Sequence, residues 1–128
     1  MTKEITVTPI SDVKELRQAI IEGIQDRKGH EINIVEMSEI ESAPAREFVI
    51  CQGNSTQQVA AIADSVRDYL LEHHDVKPYN YEGYRNSQWI VLDYGTTMVH
   101  IFTREMRQLY NLEELWADAP VIVVPDVD

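Results

Sequence analysis

The sequence predicts an α/β domain in which a small mixed sheet is covered by helices, and three observations predict it. Two stretches place apolar residues at helical intervals: Val13, Leu16, Ile20 and Ile24, then Val59, Ile62, Val66 and Leu70. Between and after them run short apolar segments rich in β-branched residues, the composition of strands. The resulting order is helix, strand, strand, helix, strand, strand, helix. It contains a strand–helix–strand unit, expected over residues 48–94. Such a unit implies one parallel pair joined by a right-handed crossover.

The first helix is expected over residues 12–28. Asp12 and Glu15 have capping-box spacing, which lets their side chains satisfy amides that the first turn leaves unpaired. Gly29 is placed to stop this helix. Residues 31–37 read as a strand on the bulk of Ile32, Ile34 and Val35, and the polar stretch 38–44 breaks it. Residues 47–52 contain FVIC, a short run suited to a buried strand. Gly53, Asn54 and Ser55 form a turn into the second helix, residues 56–74, where Ser55 and Gln58 repeat the capping-box spacing.

A loop rich in turn formers and tyrosines follows over residues 75–87. WIVLDYG and MVHIF then form a hairpin about Gly95. Both faces of each hairpin strand hold apolar groups, so both strands are expected centrally in the sheet. Residues 104–118 read as two short helical pieces about Asn111. Leu112, Leu115 and Trp116 would dock on the sheet, with Glu113 and Glu114 solvated. The tail, residues 119–128, carries VIVV between two prolines and fits either an edge strand or an extended segment laid on the body. On this reading residues 1–118 are one domain and 119–128 a tail.

With 128 residues the chain can bury a core without disulfide or metal staples. The single Cys51 excludes an intrachain disulfide framework and fits a reducing compartment. The N-terminus lacks the apolar core of a secretory signal, and no run approaches a membrane span, so a cytoplasmic location is expected. A net charge of −11 repels bare phosphate backbones, which argues against direct nucleic-acid specificity. The same charge steers a basic protein toward the chain.

Candidate chemistry is sparse. Gly53, Asn54 and Ser55 sit where free amides at a helix start could hold an anion. An ordinary capped turn, with Gly53 at positive φ and Ser55 as cap, accounts for the same residues. Nucleotidyl transfer needs two neighbouring carboxylates to hold Mg²⁺, and the strand downstream offers Asp93 alone. Cys51 with His100 would make a thiol–imidazole pair, but Cys51 lies inside an apolar strand where thiols are inert. His73 and His74 are adjacent on a helix and point apart, so a shared metal site is not expected. His100 is expected to be a satisfied, partly buried histidine, bonded nearby, with Asp93 the candidate. Trp89 and Tyr94 are either core aromatics or interface anchors. Alternation puts Trp89 and Asp93 on one face and Tyr94 on the other.

Several segments together resemble the ribosomal silencing factor, or Iojap-like, family. They are GNS through AIAD (residues 53–64), Glu82-Gly83, WIVLDYG, MVHIF, and the R..Y.LEELW pattern at residues 107–116. The resemblance covers residues 13–118 in order and at matching spacing. It implies a nucleotidyltransferase-like fold that has lost its catalytic carboxylates, in agreement with the missing second aspartate. It further implies a non-enzymatic translational repressor that uses no cofactor. Such a protein binds the large ribosomal subunit through its fourteenth large-subunit ribosomal protein and keeps the small subunit away. Trp89, Asp93, Tyr94 and Gly95 would contribute to that contact, with His100 behind or beside them. The chain departs from the family after its first helix. Where the family carries a lysine-rich stretch and then Ala-Glu-Asp, this chain reads Asp26-Arg27-Lys28-Gly29-His30-Glu31. Two other readings stand beside the repressor: a nucleotide-binding or nucleotidyltransferase enzyme, and a homodimer with the aromatic hairpin as self-interface.

Overall fold

Both long helices start as their cap residues dictate. The Asp12 carboxylate accepts from the Glu15 amide at 2.8 Å, opening α1 (Val13–Asp26), and Ser55 accepts from the Gln58 amide at 3.1 Å, opening α2 (Thr56–His74). The reciprocal bonds reach one residue further back than a standard capping box: Glu15 accepts from Ser11, and Gln58 from Asn54. α1 stops two residues earlier than predicted. Lys28 takes the left-handed conformation, with φ 59°, while the Gly29 amide closes onto the Ile24 carbonyl at 3.0 Å. Gly29 is required for proximity, since a Cβ there would lie 2.4 Å from Ile24 Cγ2.

The computed structural model describes residues 6–127. The first five residues of the expected domain and the last of the expected tail lie outside the described residues. Besides the two helices, it contains β1 (His30–Glu36), β2 (Glu47–Gly53), β3 (Asn80–Glu82), β4 (Trp89–Asp93), β5 (Thr97–Thr103), α3 (Arg104–Tyr110), α4 (Leu112–Leu115) and β6 (Val121–Val124). The strands form one sheet in the order β3-β4-β5-β2-β1-β6.

The single parallel pair is β2 with β5, not β2 with the first hairpin strand as the 48–94 unit implied. The hairpin reverses the chain, and its second strand takes the inner place. Its residues explain the choice. β5 is buried on both faces except at Met98, whereas β4 alternates between buried and half-buried positions. β4 is therefore less central than expected. Its outer edge carries β3, a three-residue strand within the predicted loop. β6 pairs antiparallel with β1, so VIVV is an edge strand. No helix among the described residues is long and apolar enough to cross a membrane.

The two faces of the sheet are covered unequally. α1 and α2 bury one face on Ile32, Ile34, Val49, Cys51, Ile90, Leu92 and Ile101. The other face holds a smaller core around Phe48, Ile50, Phe102 and Leu112, roofed by the short α3–α4 segment. The break between α3 and α4 falls at Asn111 as predicted, with φ 46°. At the rim, Arg17 reaches over the sheet to Glu47, a carboxylate only 2% exposed that also accepts from Thr97.

Candidate functional site

β4 and β5 set the candidate surface by register. Trp89 lies opposite Phe102, Val91 opposite His100, and Asp93 opposite Met98. These six side chains share the face away from α1 and α2. α4 and Trp116 cover the β1–β2 part of that face, where Trp116 meets Phe48 edge-on. The β4 end is left partly open: Trp89, Val91, Asp93 and Met98 are all half-buried. Tyr110 of α3, 50% exposed, flanks this opening.

An aromatic stack makes the opening rigid. The Trp89 ring stacks on Phe102 at 5.0 Å and meets Tyr110 at 4.5 Å. Its indole N–H donates to His100 Nδ1 at 3.1 Å. An indole can only donate, so Nδ1 must be the acceptor and the imidazole proton sits on Nε2. Burial lowers the His100 pKa to about 4, against a smaller upward pull from Glu113, and so keeps the ring neutral. Nε2 is buried without a hydrogen-bond partner among the described residues.

The expected Asp93–His100 bond is not formed. Asp93 Oδ1 accepts from the Gly95 amide at 2.8 Å, shaping a turn in which Gly95 has φ 88°. Both Trp89 and Asp93 lie diagonal to His100 in the ladder; with Asp93 engaged in the turn, the histidine is left to Trp89. Tyr94 turns to the opposite face, only 6% exposed within the α1–α2 core. It supports the hairpin from behind, and burial pushes its phenol pKa up. The structure thus brings Trp89, Asp93, Gly95 and His100 to one region and leaves Tyr94 out of it. Val91, Met98 and Tyr110 belong to the same surface and were missed; strand alternation from Trp89 was the signal for the first of them.

The remaining candidates disperse. Gly53 is not among the glycines at positive φ, so its expected left-handed role is absent. Of the amides of the Gly53-Asn54-Ser55 turn, that of Asn54 donates to Gln58 Oε1 at 2.6 Å, while the Ser55 hydroxyl accepts from the Gln58 amide inside α2. Cys51 faces α1 and α2, on the other side of the sheet from His100, and burial pushes its thiol pKa up to about 12. His73 stacks on Tyr69, while His74 turns to the Thr8 carbonyl.

Two expectations for the last segment are corrected. Leu115 is 69% exposed and does not dock. Glu113 is not solvated: it accepts from Arg107 at 2.6 Å and from Asn33 at 3.0 Å. Burial opposes its charge, but Arg107 outweighs burial and holds the carboxyl below its usual pKa. The left-handed Asn111 turns α4 back toward α3 and so brings Glu113 to Arg107.

Known proteins agree with this architecture. The family described as "Ribosomal silencing factor during starvation" matches residues 10–128, through the tail that the residue motifs left out. A ribosomal silencing factor from Halalkalibacterium halodurans is 36% identical over 114 residues, covering 89% of this chain and 96% of the relative. The chloroplastic Iojap protein of Zea mays is 38% identical over 86 residues, covering 62% of this chain and 34% of the relative. A crystal structure of a protein from Chromobacterium violaceum superposes with a TM-score of 0.78 at 30% identity, over 84% of this chain and 88% of the other. A six-stranded mixed sheet, motifs kept in order along the chain, and a match reaching from residue 10 to the C-terminus establish that the chain belongs to the ribosomal silencing factor family.

Proposed function

We propose that this protein lowers translation as a steric blocker, without catalysis. It seats the open β4–β5 face on the large ribosomal subunit, through that subunit's fourteenth ribosomal protein, and keeps the small subunit from joining. The observation that carries the reading is an aromatic side chain, Trp89, held by Phe102, Tyr110 and His100 on a sheet face that the chain's own helices leave half covered. A fixed indole loses little entropy on contact and presents a large area, which is how interface hot spots work. The net charge of −11 favours encounter with a basic ribosomal protein. Asp93, the lone carboxylate where nucleotidyl transfer would need a pair, already holds the Gly95 amide. A cytoplasmic location follows from a ribosomal target.

Cosedimentation with purified large subunits tests the contact. Trp89→Ala should weaken binding by about 2 kcal/mol, roughly thirtyfold in Kd. Tyr110→Ala, on the exposed side of the stack, should also weaken it. Leu71→Ala, on α2, should not. If folded Trp89 and Tyr110 variants sediment with large subunits as wild type does, another surface makes the contact. A homodimer through the same hairpin would cover Trp89, and light scattering together with the Tyr110 variant separates that reading.

A further inference from the structure

We propose that the cleft at the carboxyl ends of β2 and β5 binds a single nucleotide. Arg104 would take its phosphate, and the amide side chains around it would take the base or sugar. The cleft measures about 650 Å³ and is lined from both ends of the fold's sequence: β1, the end of β2, α3, α4 and β6. That size lies within the range of small-molecule sites. Its place is where open α/β sheets bind ligands, beyond the carboxyl ends of parallel strands.

The floor is built and held. Arg107 donates to the Glu31 carbonyl, to Gln52 Oε1 at 3.3 Å and to Glu113 at 2.6 Å, and Asn33 fixes Glu113 from the other side. Beside this floor β1 is irregular. Its register slips between His30 and Asn33, and Glu31 sits at φ 54°. Non-glycine residues in that conformation and bulged strands both gather at ligand sites.

The lining also selects a chemistry. Arg107 is neutralised by Glu113, and the exposed Glu31 carboxylate also lines the cleft; Arg104 is exposed, has no carboxylate partner among the described residues, and is the cation left for a phosphate. A guanidinium can take a phosphate through two parallel hydrogen bonds. The exposed side chains of Asn54, Gln108 and Asn111 line the cleft, and none makes a hydrogen bond among the described residues. Each amide offers a donor beside an acceptor, the pairing found on the edge of a nucleobase. A polynucleotide is disfavoured by a surface of net charge −11, which repels a long phosphate backbone. A single phosphate answers to the nearest charges, because others are screened within about 8 Å. The site differs from the anion turn read in the sequence: side chains hold the ligand, since the Asn54 amide is already engaged by Gln58. The inference is independent of the ribosomal contact.

Calorimetric titration of the full chain tests it, with AMP and GMP as probes and adenosine and inorganic phosphate as separate arms. A mononucleotide should bind saturably, and the nucleoside and phosphate should each bind at least about tenfold more weakly. Arg104→Ala, at an exposed position, should lower nucleotide affinity about tenfold or more, and Lys77→Ala, remote on the α2 side, should leave it unchanged. No saturable heat with either mononucleotide overturns the proposal. So does an Arg104 variant that binds as wild type does. Phosphate that binds as tightly as the nucleotides would reduce the cleft to a simple anion site and refute the nucleotide assignment.

Discussion

Acid should destabilise this fold through one buried imidazole. In the folded chain the proton-free Nδ1 of His100 accepts from Trp89, and burial lowers the histidine's pKa from 6.5 to about 4. Above pH 6.5 neither the folded nor the unfolded chain binds this proton, and the histidine adds no pH dependence. Between 6.5 and about 4 only the unfolded chain takes it up, so stability falls as pH falls. Below about 4 both states are protonated and the loss levels off. At about 1.4 kcal/mol per pH unit, the full loss is on the order of 3 kcal/mol. Urea unfolding followed by tryptophan fluorescence, at a series of pH values, measures it. His100→Gln keeps an acceptor for the indole and removes the titration. The difference between wild type and this variant isolates His100, because the carboxylates and the other histidines are common to both. If the two proteins lose stability in parallel from pH 6.5 to 4, the buried, neutral His100 described here is wrong.

Substitutions at two further positions probe the supports of the fold. Asn111→Ala removes the short polar side chain that lets asparagine tolerate the left-handed conformation and should cost about 1 kcal/mol, while Asn111→Gly should cost little; thermal melts compare them. Glu47→Ala leaves Arg17 without its principal carboxylate and Thr97 without its acceptor. The expected cost is about 2 kcal/mol by chemical denaturation, and a loss under about 0.5 kcal/mol would show that the pair contributes little.

The parts of the fold legible in the sequence are those set by local chemistry. The stripe from Leu16 to Ile24 and the cap at Asp12 fix α1 within its own residues, and Ser55 with Val59 to Leu70 does the same for α2. Asn111 is readable because few residues tolerate positive φ. What the sequence hides depends on partners distant along the chain. WIVLD and TMVHIFT are both apolar, so neither announces which will sit beside β2. β3 exists only because β4 offers it an edge. Glu113 looks solvated until a left-handed residue two positions earlier swings it onto Arg107. The site divides in the same way. Alternation placed Trp89 with Asp93 and apart from Tyr94, but could not choose between two side chains equally diagonal to His100.

The open face follows from how little chain is available to cover it. α3 has seven residues, α4 has four, and the turn at Asn111 sends the second back over β1 and β2. Phe48 and Ile50 are sealed in this way, and at β4 the Tyr110 ring meets Trp89. A longer straight helix would extend past Tyr110 and bury Trp89 in the monomer. A break that kept α4 over β4 would instead expose Phe48. The geometry of one left-handed asparagine therefore decides which aromatic is sealed in the core and which stays at the open face. On this argument Asn111→Pro, which forbids positive φ, should perturb the Trp89 surface as well as the roof. The change should appear as altered Trp89 fluorescence quenching by a soluble quencher, read in a Trp116→Phe background that leaves Trp89 as the one tryptophan. Unchanged quenching in a folded variant would mean that α3 stays over Trp89 without the turn.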